Sequence, residues 1–185
     1  MLDWLIRRRI AAFEKQFDYD MGYARELLGF SRAGFMRFSR LYPMANFRDG
    51  VPPNAWHAAK IIAARAEDCG PCTQLAVDMA RAAGVDDPLL RAVLREDLQA
   101  VGPEVALAIR YTRAAIAHSP EIAALRDEVV GRWGEKGLAS LALTITATRM
   151  FPMLKYALGH GQACQRVRVG SEAVDTAALP AAHAA

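Results

Sequence analysis

Apolar residues recur at helical spacing along most of the chain, and the β-branched runs that favour strands are almost absent. Ala, Leu, Arg and Glu dominate, and the breaks between helical stretches are well marked. Asp20 can cap a short helix through Leu28 that ends at Gly29, and Ser31 can cap the next, which Pro43 stops. Pro53 to Ala66 reads as a helix. Pro71 sits where the first helical position accepts proline, and the helix it opens runs to Ala83 and stops at Gly84. Asp86 or Asp87 caps a short helix through Glu96, and Gly102-Pro103 opens another, to His118. Ser119-Pro120-Glu121 supplies a cap, a first-turn proline and an acid near the helix dipole, and opens a helix to Trp133. A last long helix runs from Glu135 to Leu158, with a kink expected at Pro152, and Gly159-His160-Gly161 ends it. The pattern predicts an all-α fold.

The proline- and glycine-bearing stretch from Tyr42 to Pro53 is the best internal boundary. It divides an N-terminal helical arm (1–50) from a helical core (51–165), with a loose small-residue tail (166–185). At 185 residues the whole suits one domain, since the arm is too small to be stable alone. Within the core, Leu138 to Leu158 is apolar on most sides and is expected to be the buried central helix.

With 53% apolar and 23% charged residues the body is globular. The net charge of +3 is scattered, without an aromatic-spaced basic stripe, which argues against nucleic acid as partner. No unbroken run reaches the roughly 18–20 apolar residues of a membrane span. At the start, Arg7-Arg8-Arg9 follows a very short apolar run, the reverse of a secretory signal. These readings place the protein in the cytoplasm, away from membranes. The arm, with Trp4, Ile6 and Ile10 beside those arginines, is expected to dock on a partner subunit.

The candidate chemistry lies in Cys69-Gly-Pro-Cys72, two of three cysteines. At a helix start, unsatisfied amides and the positive dipole end favour thiolate over thiol. The spacing lets the sulfurs close a disulfide, so that one can attack a peroxide or disulfide and the other resolve the product. The helix start favours Cys69, the end expected to be better exposed. Glu67 and Asp68, as anions, would raise the thiol pKa, although Glu67 could instead act as general base. Cys164 and His160, with the CxxC, would complete a Cys3His zinc set, but the linear spacing is unlike a compact zinc module, and no metal is expected.

Cys-Gly-Pro-Cys is also the thioredoxin sequence, but Ala63-Ala-Arg-Ala-Glu-Asp68 before it is helical and acidic, not a strand. The segment Ala58 to Val85, with Glu67-Asp-Cys-Gly-Pro-Cys72 followed by Ala80-Arg-Ala-Ala-Gly-Val85, resembles the core of the carboxymuconolactone decarboxylase and alkylhydroperoxidase D-like family. The stretches Trp133 to Leu138 and Arg149 to Phe151 resemble its last helices, so the likeness runs from Val51 to Gly161. It implies an alkylhydroperoxidase D-like helical bundle, assembled as a homo-oligomer, that reduces a hydroperoxide or disulfide with electrons from a thiol reductant and no cofactor. By the family pattern Cys72 would attack peroxide. Two family positions differ: the His four residues after the second Cys is Ala76, and the Glu twelve residues before the first is His57. His57 is therefore the candidate replacement in the proton relay. The competing functions are a non-redox lactone decarboxylase-type enzyme, and a binding or assembly protein on the same fold.

Overall fold

Helix α5 (Pro53–Arg65) is the axis of the molecule, a place the sequence pattern gave to the later Leu138–Leu158 stretch. Pro53 opens it at the first helical position, and every residue from Ala55 to Arg65 is buried. Its alanines at 55, 58, 59, 63 and 64 leave room for neighbours to approach on every side. The computed structural model, which describes residues 2–161 and 167–176, is otherwise built around this helix. The N-terminal arm forms α1 (Leu2–Phe17), α2 (Gly22–Phe30), α3 (Arg32–Phe38) and α4 (Leu41–Ala45). After α5 come α6 (Gly70–Ala82), α7 (Asp87–Arg95), α8 (Pro103–Ile116) and α9 (Ile122–Ala157), and then the short strands β1 (Val167–Val169) and β2 (Glu172–Val174). Helices α6, α8 and α9 pack directly on α5. The chain is thus mostly helical.

Several punctuation signals act as expected. Ser31 Oγ accepts from Gly34 N at 3.0 Å, and Asp86 Oδ1 from Leu89 N at 3.2 Å. Gly134, at φ 71°, breaks α9 between its two expected halves, a conformation that glycine adopts without a Cβ penalty. Others do not. Gly29 lies inside α2, whose N-cap is Met21; Asp20 instead accepts from Gly22 N at 2.8 Å. Pro43 does not end helical structure but sits within α4, near enough to its start to need no amide partner.

Helix α9 is half core, half surface. Ser140, Leu141, Thr144 and Ile145 are buried, whereas Leu143, Met150, Met153 and Tyr156 are exposed. The buried hydroxyls explain the path of the linker. Ser140 Oγ donates to Phe47 O at 3.2 Å, and Thr144 Oγ1 lies 3.3 Å from both Ala45 O and Phe47 O. Trp56 Nε1 adds a bond to Phe47 O at 3.0 Å, so carbonyls that no helix uses are satisfied by side chains. By length and composition alone α9 could cross a membrane, although Ser140, Thr144 and Arg149 interrupt its apolar run. In its most apolar window 44% is buried inside the protein.

Two further expectations are corrected. The arm docks on its own chain. Ile10, Tyr23, Leu28 and Phe35 form a second apolar cluster, joined by Phe13, Phe17 and Phe38 and closed by Leu75 of α6 with Leu154 and Leu158 of α9. Phe13, Phe17, Phe35 and Phe38 thus find cover within the chain, whereas Trp4, Leu5, Phe30, Met36 and Tyr42 of the arm stay exposed. Nor is the stretch after 166 wholly a loose tail. β1 and β2 pair antiparallel, Val167 opposite Val174, and bury Val167, Val169 and Val174 against α6 and α7. The Gln74 side chain clamps Arg168, accepting from its N at 2.7 Å and donating to its O at 3.0 Å. Each strand is too short for alternation to register. Cys164 lies outside the described residues.

One buried ion pair ties α5 to the α7 end. Arg65 pairs with Glu96 and donates to Leu94 O at 2.7 Å, and Arg113 reaches Glu96 from α8 at 2.7 Å. Breaking such a pair from one side leaves a charge without its counterion. Glu96→Gln should therefore destabilise the protein by about 3 kcal/mol in urea unfolding. A loss under about 1 kcal/mol would show that the pair is dispensable.

Candidate active site

The site is made by the turn from α5 to α6. The chain leaves α5 at Ala66 and reverses through Asp68, which sits in the left-handed region at φ 48°. Asp68 N donates to Arg65 O at 3.0 Å, and Tyr156 Oη of α9 donates to Asp68 O at 2.9 Å. Cys69 follows in extended conformation as the N-cap of α6. Its carbonyl accepts from Thr73 N at 2.9 Å and Thr73 Oγ1 at 3.1 Å, which starts the helix. Pro71 occupies the first turn, as its position predicts, and Cys72 follows it. Cys69 and Cys72 form a disulfide, with Cα atoms 5.2 Å apart. Both therefore lie where the α6 amides and dipole favour negative charge.

Neither cysteine is open to solvent. Cys69 is 1% exposed and Cys72 7%, so the expectation that Cys69 is the better exposed end is overturned. Aromatic side chains from distant parts of the chain close the turn: Tyr156 at Asp68, and Tyr19, from the α1–α2 connection, at Cys72. Tyr19 Oη lies 3.7 Å from Cys72 Sγ. A disulfide sulfur carries no proton, so the hydroxyl donates. Lys155 Nζ of α9 in turn lies 3.4 Å from Tyr19 Oη, 4.8 Å from the Tyr19 ring centre and 5.5 Å from that of Tyr23. Burial raises the Tyr19 phenol well above its ordinary pKa and pushes Tyr23 up to about 12. Burial also lowers the pKa of Lys155, which Asp20 partly opposes.

Tyr19 and Lys155 were not legible in the sequence as site residues. Nothing in linear spacing joins positions 19, 72 and 155. The available signal was a lone lysine in the otherwise apolar run from Met150 to Leu158.

The remaining candidates have other partners. Glu67 is ion-paired with Arg149 of α9, which neutralises the charge beside Cys69. His57 is buried near the start of α5, its ring edge-on to Trp56 at 4.9 Å and its Nδ1 without a hydrogen-bond partner among the described residues. Burial first, then the nearby Lys60 and Arg48 charges, lower its pKa to about 4. At that value it is a poorer base than a free imidazole, and no described bond joins it to either sulfur. Lys60 itself is lowered to about 8 by burial; it donates to Asn46 Oδ1 at 2.7 Å and lies 4.7 Å over the Trp56 ring. Ala76 belongs to the main apolar cluster, so its position is enclosed by core. His160 Nε2 is 2.6 Å from Glu26 Oε2. An open cleft of about 640 Å³ runs between the end of α1 and α6, lined by Lys15, Asp18, Asp78 and Arg81 among others, and neither cysteine lines it.

No family model, curated protein or solved structure matches the chain in comparisons with known proteins.

The buried His57 gives stability a pH dependence. Its folded pKa of about 4 lies below the unfolded value of 6.5, so between these the unfolded chain binds the extra proton. Stability should fall as pH drops from about 6.5 towards 4, with at most about 3 kcal/mol attributable to this group. His57→Phe should flatten that part of the profile in denaturant titrations across pH. An unchanged profile would mean that His57 titrates normally.

Proposed function

We propose that this protein is a thiol-dependent oxidoreductase of the alkylhydroperoxidase D-like kind, in which Cys69 and Cys72 cycle between dithiol and disulfide. The observation that carries the reading is the Cys69–Cys72 disulfide at the start of α6. The helical bundle and the residues from Ala58 to Val85 support the family likeness. In the oxidising half, one thiolate attacks the terminal oxygen of a hydroperoxide. A sulfur–oxygen bond forms, the oxygen–oxygen bond breaks, and the departing alkoxide takes a proton to become an alcohol. The second thiolate then attacks the sulfenic sulfur, the sulfur–oxygen bond breaks as the disulfide forms, and the hydroxide that leaves takes a proton from solvent to become water. A dithiol reductant reopens the disulfide and is itself oxidised. The burial of both sulfurs favours a small hydroperoxide over a protein disulfide as oxidant. A reducing cytoplasm would keep such a couple turning over.

With a hydroperoxide and a dithiol reductant, the pure protein should consume peroxide catalytically. Cys69→Ser and Cys72→Ser should each abolish turnover, and peroxide alone should link the peptides carrying those cysteines. Failure of the reduced wild type to consume peroxide would sink this reading in favour of a binding or non-redox protein.

Self-association belongs to the same proposal. Leu143, Met150, Met153 and Tyr156 make an exposed apolar stripe on α9 that a second copy would cover. Light scattering at micromolar concentration should give a dimer or larger, and a clean monomer would count against it.

A further inference from the structure

The Cys69–Cys72 disulfide leaves unexplained the buried cation and the two phenols beside it. Lys155 is 4% exposed, yet its ammonium forms no ion pair among the described residues. Its hydrogen bond goes to Tyr19 Oη, and its charge rests against the Tyr19 and Tyr23 rings. A buried ammonium without a contacting carboxylate is costly unless an anion is brought to it. Beyond Tyr19 the line meets the Tyr23 hydroxyl, which interacts with that of Tyr19, and Cys72 Sγ, 3.7 Å from the Tyr19 hydroxyl. That sulfur is neutral in the disulfide and becomes the missing anion once the disulfide is opened.

The geometry points to Tyr19 as the hydrogen-bond donor that holds the Cys72 thiolate in the reduced couple, with Lys155 as its positioning residue. Lys155 Nζ donates to Tyr19 Oη, and the Tyr19 hydroxyl donates to Cys72 Sγ. This inference rests on the redox reading above and deepens it, because it makes Cys72 the attacking thiolate and supplies a proton path where Ala76 cannot. Burial disfavours the Tyr19 phenolate, so Tyr19 is a donor before the attack and recovers a proton as soon as it gives one up. When Cys72 attacks a hydroperoxide, the new bond forms between Sγ and the terminal oxygen and the oxygen–oxygen bond breaks. The leaving alkoxide takes the Tyr19 proton, Tyr19 takes one from Lys155, and Lys155 is reprotonated from water. Cys69 then closes the disulfide on the Cys72 sulfenic acid with release of water.

The other titratable groups acting on this line are Tyr23 and Asp20 of the arm. Asp20 favours the charged form of Lys155 and disfavours a Tyr19 phenolate, so both effects preserve the same direction of donation. On the other side of the disulfide, Glu67 is paired with Arg149 and Asp68 immediately precedes Cys69. Asp68, which has no ion pair among the described residues, thus adjoins Cys69, while a cation-backed donor adjoins Cys72.

The test is the pH dependence of iodoacetamide alkylation of the fully reduced protein, read at each cysteine by mass spectrometry. In the wild type the Cys72 midpoint should lie below that of Cys69; the reverse order overturns the inference without any variant. Tyr19→Phe, which keeps the ring and removes the hydroxyl, should raise the Cys72 midpoint by about 1 pH unit, as should Lys155→Met. Lys155→Arg should restore it, which a merely structural role for the side chain would not predict. A Cys72 midpoint unmoved by both Tyr19→Phe and Lys155→Met overturns the relay. Peroxide consumption is read separately: a wild type that consumes none ends the redox reading, while the midpoints still decide what holds the Cys72 thiolate.

Discussion

Close packing of three helices on an alanine-rich α5 is the constraint on which the rest of the structure depends. A helix buried on every side cannot carry large side chains everywhere, and α5 alternates small residues with Trp56, Ile61 and Ile62. Because α6 must fold back onto α5, the chain has to reverse within a few residues, and Asp68 takes the left-handed conformation that allows it. The cysteines sit on that reversal. Their burial and their closeness to the α6 amides are consequences of the way α6 returns along α5.

Such a core contains charges, and each is handled differently. Arg65 is met by Glu96 and a backbone carbonyl. Lys60 has a neutral amide oxygen and an indole face. Lys155 has two phenols and, among the described residues, no contacting carboxylate. The three cations thus differ in how fully each is neutralised. A fully paired ion is settled in one state, whereas a cation held only by neutral groups can respond when an anion forms nearby. Lys155 is the cation of this kind whose hydrogen-bond line ends on a sulfur.

The arm therefore does more than cover apolar surface. Its second cluster locks α1 and α2 against α6 and α9, which brings Tyr19 to Cys72 across 53 residues of sequence. Ala76, four residues after Cys72, is packed into the core, and the phenol that reaches the sulfur comes from another element.

The sequence by itself determined the helices, most of their breaks and the CxxC at a helix start, because caps, prolines, glycines and local spacing act within a few residues. Gly134 and Asp86 could be read this way, and so could Pro71 before Cys72. The tertiary structure alone decided which helix is central, that Val167–Val174 forms a packed hairpin, and that the arm is covered by its own chain. It also decided the surroundings of the cysteines: Glu67 turned towards Arg149, His57 held neutral beside Trp56, and Tyr19 and Lys155 brought to Cys72. These outcomes depend on contacts between residues distant along the chain. Side-chain burial and pairing are set by which surfaces meet, and no local pattern at positions 19, 72 and 155 records that they will.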